Sequence, residues 1–155
     1  MKSLRFLRWI IIFSFFSALL LSLIPLTPIV ELFYPLCAAL VLIYWFIVFP
    51  EHVNLTFAWI LGLLIDVLYG NYLGEHALAL SILAVLSAHF HLQFRMFPLA
   101  QQMFFIFVLL TIYQGLLFWM QVCLGFAVNF YLAGFALLTS ALVWPFLKKV
   151  LRAPL

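Results

Sequence analysis

Long apolar runs alternate along the chain with short breaks that hold proline, glycine or charged residues. Each run is close to the length of about 17–25 residues with which an α-helix crosses the hydrocarbon core of a bilayer. The runs are continuously apolar and lack the period-two alternation of strands, so we interpret them as helices. They cover residues 9–24, 32–49, 53–69, 76–91, 99–125 and 127–147. The pattern predicts an all-α integral membrane protein, a bundle of six transmembrane helices.

The breaks carry residues that end or begin helices, and they leave only short connections. Pro50 follows the second run, Gly70 ends the third, and Pro98 stands where proline suits a first helical turn. The runs at 32–49 and 76–91 are short, so a four-span arrangement in which both are re-entrant is an alternative. No small-residue cleavage motif follows the first run, so we expect a retained span rather than a signal peptide.

Composition indicates that lipid is the main solvent of the chain. Its 155 residues are 70% hydrophobic and 7% charged, with a mean hydropathy of +1.33. Soluble domains carry about 25% charged residues. No hydrophilic segment is long enough for a second domain, so we predict one transmembrane domain over residues 1–155. Base-reading polar side chains on a basic patch are absent from the sequence, which argues against nucleic acid as a partner and favours membrane lipid.

Basic residues predict the orientation of the bundle. Lys and Arg near membrane ends are retained on the cytoplasmic side. The seven cations are Lys2, Arg5, Arg8, Arg95, Lys148, Lys149 and Arg152. An even number of spans with both termini in the cytoplasm places every one of them inside, whereas five spans would expose one basic terminus. The predicted outer turns near residues 25–31, 70–75 and 125–127 contain acids but no Lys or Arg.

Small residues recur every three or four positions in three of the runs, which places them on one face of each helix. The stripes are Ser14, Ala18 and Ser22 in the first run, Ala58, Gly62, Asp66 and Gly70 in the third, and Ala77, Ser81, Ala84 and Ala88 in the fourth. Helices in lipid associate through such close contacts, because apolar surface alone gives no drive to associate. The stripes are explained either by packing within the bundle or by docking of another membrane protein. In the second case we expect the first run to carry the docking face.

Asp66 is the only aspartate and the only acid well inside a run. An ionised carboxylate in hydrocarbon costs about 2.5–3.5 kcal/mol on insertion scales, so it needs partners. His76, Gln114 and Gln121 are the candidate partners. We predict a buried, hydrogen-bonded Asp66 that ties the outer ends of neighbouring helices together; an ion or substrate site is the alternative.

Catalytic and metal-binding patterns find little support in the sequence. A single aspartate excludes an intramembrane aspartyl pair, and no serine lies in a Gly-x-Ser-x-Gly turn. The four histidines are placed so that they do not converge. We therefore expect no catalytic residue, no metal site and no cofactor. Cys37 and Cys123 lack a metal spacing and are expected to be free apolar residues, although a disulfide between them is not excluded by their positions.

The middle of the chain resembles the rod shape-determining protein MreD family in its Gram-negative form. The resemblance rests on Tyr44-Trp45, Pro50, His52-Val53-Asn54, the run from Gly62 to Gly70, Leu73-Gly74, Ala79-Leu80-Ser81, Phe94-Arg95 and Gln101-Gln102. Residues 40–102 are its specific part. The most discriminating element is Gly-x3-Asp-x3-Gly-x2-Leu-Gly, which begins at Gly62 and ends at Gly74.

The resemblance implies a non-enzymatic, multi-pass protein of the bacterial inner membrane that serves the cell-elongation machinery. It implies a fold similar to the six-helix substrate-binding subunits of energy-coupling-factor transporters. The implied partner is the transmembrane helix of MreC. Further implied partners, direct or indirect, are MreB, RodZ, and RodA with its class B penicillin-binding transpeptidase. A small transporter, or the substrate-binding subunit of one, is the alternative function.

Overall fold

The computed structural model describes residues 2–22, 36–70, 72–125 and 130–151, with the side chains of residues 2–8, 21–22 and 130–133 excepted. These residues form six helices and no strand. The helices are α1 (Lys2–Ser22), α2 (Cys37–Val48), α3 (Leu55–Tyr69), α4 (Glu75–Met96), α5 (Leu99–Cys123) and α6 (Phe130–Val150). Among them, α4 and α5 are long and apolar enough to cross a membrane, while α2, α3 and residues 9–20 of α1 are shorter apolar helices.

The number and order of helices agree with the six apolar runs, and several helix ends differ by two or more residues, most notably the end of α4 and the start of α1. α4 continues to Met96 rather than ending at 91, because no helix breaker occurs before Pro98. Arg95 therefore lies in the last turn of a helix and not in a loop. α1 begins at Lys2 rather than at 9, so its basic segment is helical. The expected turn at 25–31 and the start of the second run lie outside the described residues, as do 126–129.

A 22-residue α4 also argues against the four-span alternative. That arrangement required the run at 76–91 to turn back within the membrane, and the structure instead shows one continuous helix from Glu75 to Met96. A helix of that length rises about 33 Å, enough to cross a hydrocarbon core of about 30 Å.

α2 lies at the centre of the bundle. Every residue from Ala39 to Ile47 is buried, as expected for a helix that is apolar on all sides. α2 packs against α1, α4 and α6; α4 also packs against α3 and α5, and α5 against α6. Trp45 and Trp144 are the largest fully buried side chains. Large apolar side chains cover the outer faces of the helices, which indicates a surround of lipid.

Side chains from neighbouring helices satisfy the carbonyl groups at the ends of α2 and α6. Arg95, from α4, donates from Nε to the carbonyl of Ile47 at 3.2 Å and from its terminal nitrogen to the carbonyl of Val48. The Tyr44 hydroxyl of α2 donates to the Leu151 carbonyl at 2.8 Å. The last carbonyls of a helix have no partner within it, so these bonds fix the helix ends to one another.

Gln102 does the same for the end of α4. Its amide nitrogen donates to the Phe97 carbonyl at 2.9 Å, and its amide oxygen accepts a bond of 3.1 Å from Nζ of Lys148 on α6. This end of the bundle, which we call the basic end, thus holds the ends of α2, α4 and α6 together.

Candidate functional site

Asp66 lies at the opposite end of the bundle, in the last turn of α3, with its side chain fully buried. Its Oδ2 atom accepts the backbone N–H of Gly74 at 2.8 Å, and its Oδ1 atom accepts the backbone N–H of His76 at 2.9 Å. Nδ1 of His76 lies 2.8 Å from the same Oδ1. The carboxylate therefore has three hydrogen-bond donors, all from the segment that begins α4.

The local sequence explains why α4 takes its cap from another helix. Gly74 occupies the N-cap position of α4, where it has no side chain to accept the first amides of the helix. Asp66 supplies that acceptor from α3, and a carboxylate is favoured at a helix N-terminus because the helix dipole is positive there. Gly70 and Gly74 have φ angles of 66° and 108°, so glycine is required at both positions to turn the chain back toward Asp66.

Gly62 allows the two helices to approach this closely. A Cβ atom built on Gly62 would lie 2.2 Å from Cα of Ala77 and 2.4 Å from its backbone nitrogen. Ala58, one turn earlier, is also fully buried. The stripe of the third run therefore packs against the start of α4 within the chain. In its Gly-x3-Asp-x3-Gly pattern, Gly62 permits the close contact, Asp66 caps α4 and Gly70 forms the turn.

A second carboxylate at this end was not identified from the sequence as a packing residue. Glu75 is the first residue of α4 and is only 5% exposed. Its Oε1 atom accepts a 2.7 Å bond from Nε2 of Gln121 on α5. An acid directly after a glycine at a helix start is the feature of the sequence that points to Glu75, since acids are favoured in a first turn. The bond links α4 to α5 as Asp66 links α3 to α4.

The three proposed partners of Asp66 have different positions in the structure. His76 contacts Asp66 directly. Gln121 was expected near Asp66 and instead donates to Glu75 at the start of α4. Oε1 of Gln114 is buried and has no hydrogen-bond partner among the described residues. The His76 ring also stacks on Tyr69, with ring centroids 6.1 Å apart.

The small-residue face of the first run packs against α2 in the structure. Oγ of Ser14 accepts a 2.8 Å bond from Nε1 of Trp45, and Ala18 is buried. α2 therefore already occupies this face, because Ser14 is short enough to admit the large indole. The Ser22 side chain lies outside the described residues. On α4, Ala77 and Ala84 are likewise fully buried.

The basic residues divide into three groups. Arg95 and Lys148 are bound to acceptors on other helices. Lys149 is exposed. Lys2, Arg5 and Arg8 lie in α1, but their side chains are outside the described part of the chain, as is the whole of Arg152. Cys37 and Cys123 are both free thiols in the structure.

The carboxylates at this end of the bundle hold helices together. Asp66 and Glu75 both accept bonds from other helices or from the turn that precedes α4. Among the described residues, no three His, Cys, Asp or Glu side chains are grouped to hold a metal ion. What the arrangement achieves is a rigid connection of α3, α4 and α5 at one end.

Comparison with known proteins gives the family. The family profile described as rod shape-determining protein MreD matches residues 3–153. A protein of Haemophilus influenzae named "Rod shape-determining protein MreD" is 31% identical over 147 residues, which are 94% of this chain and 91% of that protein. No solved structure matches. Together with the apolar helices, these matches indicate a membrane protein that acts in determining rod shape, and the chain belongs to the MreD family.

Proposed function

We propose that this protein is a non-enzymatic membrane scaffold of the cell-elongation machinery. It binds the transmembrane helix of MreC and helps to couple MreB to lateral peptidoglycan synthesis. RodZ, and RodA with its class B penicillin-binding transpeptidase, are its further partners, direct or indirect. The observation that carries the proposal is membership of a rod shape-determining family over nearly the whole chain.

The geometry at the end of the bundle that contains Asp66 supports a scaffold. Asp66 joins α3 to α4, and Glu75 joins α4 to α5, through partly buried hydrogen bonds of 2.7–2.9 Å. A rigid face lets a partner helix bind with little loss of conformational freedom in the scaffold. Binding energy would come from close helix contact, with interhelical hydrogen bonds contributing roughly 0.6–2 kcal/mol each.

The open glycines suggest where a partner helix approaches. Gly115 on α5 and Gly134 on α6 are exposed, and a Cβ atom at either position would meet nothing within 4 Å. A glycine in a helix interior costs about 1 kcal/mol relative to alanine. Because no described residue of the chain would contact a side chain at these two positions, we place the partner on the outer face of the α5–α6 pair rather than on α1 or α3.

We propose that all six helices cross the bacterial inner membrane and that both termini lie in the cytoplasm. The fold would then be similar to the substrate-binding subunits of energy-coupling-factor transporters. Alkaline phosphatase fusions at the two termini and in the turn at residues 70–74 test this. Activity is expected only for the fusion in the turn, since that enzyme folds outside the cytoplasm. An active terminal fusion contradicts the topology.

The rival function is a small transporter or its substrate-binding subunit. Such a site needs several polar groups that converge on a pocket. Asp66 and Gln121, two of the few intramembrane candidates, are instead bound within the chain. Saturable binding of a small molecule by the purified protein would favour the rival.

Co-expression with tagged MreC tests the scaffold directly. The two proteins are expected to co-purify in detergent, and depletion of this protein in its own bacterium is expected to give round cells with normal nutrient uptake. Rod-shaped cells after depletion, or no complex with MreC under conditions that keep both proteins folded, would contradict the proposal.

A further inference from the structure

The three helices that carry basic residues are the three that pack around α2. Lys and Arg occur in α1, in α4, and in α6 with the two residues that follow it. α2 contacts α1, α4 and α6. Three clusters that are far apart in sequence are thereby brought to one part of the molecule.

Contacts at the basic end indicate that the three clusters of basic residues lie at a similar height along the bundle axis. Arg95 binds the last carbonyls of α2, and Lys148 binds Gln102, which in turn caps the end of α4. On α1, Ser14 contacts Trp45, three residues before α2 ends. Ala18 lies further along α1 and is buried. Ile11 is the first buried side chain described on α1, so the buried part of this helix begins there and the turns that carry basic residues lie before it, toward the end of α2.

Exposed apolar side chains are interleaved with these cations. Trp9 is 71% exposed directly after Arg8, and Met96 is 86% exposed directly after Arg95. Phe146 is 69% exposed, two residues before Lys148. Cations next to exposed apolar and aromatic groups are typical of the boundary between acyl chains and head groups, where Lys and Arg extend toward the phosphates and Trp lies at the interface.

We propose that the basic end binds the head groups of anionic phospholipids around the end of α2. Phosphodiester oxygens accept the N–H donors that Arg95, Lys148 and Lys149 present, and the acyl chains pack on the adjacent apolar side chains. Glu51, in the turn after α2, is the one acid described at this end, so the local charge is strongly positive. The bonds of Arg95 and Lys148 to other helices hold their charges in place before lipid arrives.

A lipid fits these observations better than a soluble acidic protein. The cations lie at the edge of the apolar surface rather than on a projecting domain, and the exposed side chains beside them are large and apolar. The inference rests on the membrane location in the proposed function, and it does not depend on MreC.

Native mass spectrometry of the purified chain alone tests this inference. The protein is released from detergent after equilibration with equal amounts of phosphatidylglycerol and phosphatidylcholine that have the same acyl chains. We expect preferential retention of phosphatidylglycerol, and a preference lowered about fivefold in Lys149→Gln, since one cation at an anionic surface contributes ~1 kcal/mol. Lys149 makes no bond to another helix among the described residues, so this variant is expected to keep the fold.

Two control variants show whether the preference for phosphatidylglycerol follows the charge at the basic end. Lys149→Arg keeps the charge and should keep the preference, whereas Glu51→Gln removes the acid and should raise it. Equal retention of the two lipids by the native chain, or an unchanged preference in Lys149→Gln, would overturn the inference. Displacement of the lipid by inorganic phosphate alone would overturn the assignment to a lipid. Because MreC is absent from this experiment, a failure of MreC binding leaves its result unaffected.

Discussion

Oδ1 of Asp66 lies 2.8 Å from Nδ1 of His76 and 2.9 Å from the backbone nitrogen of the same residue, so one carboxylate oxygen fixes both the backbone and the ring of His76. The other oxygen accepts the N–H of Gly74. Asp66 thus acts as the N-cap of α4 although it belongs to α3. The most specific motif of the sequence is therefore explained by a helix-to-helix connection.

Replacement of Asp66 should distinguish the loss of charge from the loss of acceptors. Asn keeps one oxygen for His76 but turns an NH2 group toward the N–H of Gly74, whereas Leu removes every acceptor. A buried donor without a partner costs about 1–3 kcal/mol. We expect Asp66→Asn to lower the free energy of unfolding by about 1–3 kcal/mol and Asp66→Leu by at least twice that amount, as measured by urea or thermal unfolding in detergent. Equal stability of the two variants would contradict the capping role.

Gly62 and Gly115 form a matched pair for close packing. Gly62→Ala places a methyl group against the backbone of Ala77, which cannot move without displacing α4 from α3. Gly115→Ala enters open space and should be neutral or stabilising by up to about 1 kcal/mol through helix propensity. Thermal stability in detergent should therefore fall clearly for the first variant and not for the second. A stable Gly62→Ala protein would show that the α3–α4 contact is looser than the structure indicates.

The Glu75–Gln121 bond should appear as an energetic coupling between α4 and α5. Each single alanine variant leaves the other polar group partly buried without its partner, so each should be destabilising. The double variant should lose less than the sum of the two, with a coupling energy of about 0.5–3 kcal/mol. Unfolding of the four proteins of the cycle in the same detergent measures this quantity, and additive losses would mean that the 2.7 Å contact contributes nothing.

Substitution of an exposed glycine should weaken MreC binding, whereas substitution of a buried small residue should destabilise the protein itself. Gly115→Leu and Gly134→Leu add bulk to faces that are open in this chain, so both should lower co-purification with MreC while the protein alone stays folded. Ala18→Leu adds bulk to a side chain that is already buried, so it should destabilise the protein itself. Pull-down yield, normalised to the amount of folded protein, provides the measurement. If both glycine variants bind MreC normally, the partner lies on another face.

The apolar pattern alone predicted that the chain is helical and indicated the six helices of the described residues, with helix starts that differ by up to seven residues. This follows because hydrophobic periodicity and helix-breaking residues act locally. The motif around Asp66 was sufficient to suggest the family and to select His76 as a neighbour, since only a short turn separates the two residues in sequence. Glu75 and Gln121 escaped detection as a pair because 46 residues separate them and no local pattern specifies that α5 packs beside α4.

Tertiary structure decided which faces of the helices are used. Every stripe of small residues has the same appearance in sequence, whether it is filled by a neighbour or open to one, because spacing defines a face but not what covers it. Packing filled the faces of Ser14, Ala18 and Gly62 and left Gly115 and Gly134 open. Packing also gathered the helices with basic residues around α2, an arrangement that no local pattern in the sequence specifies.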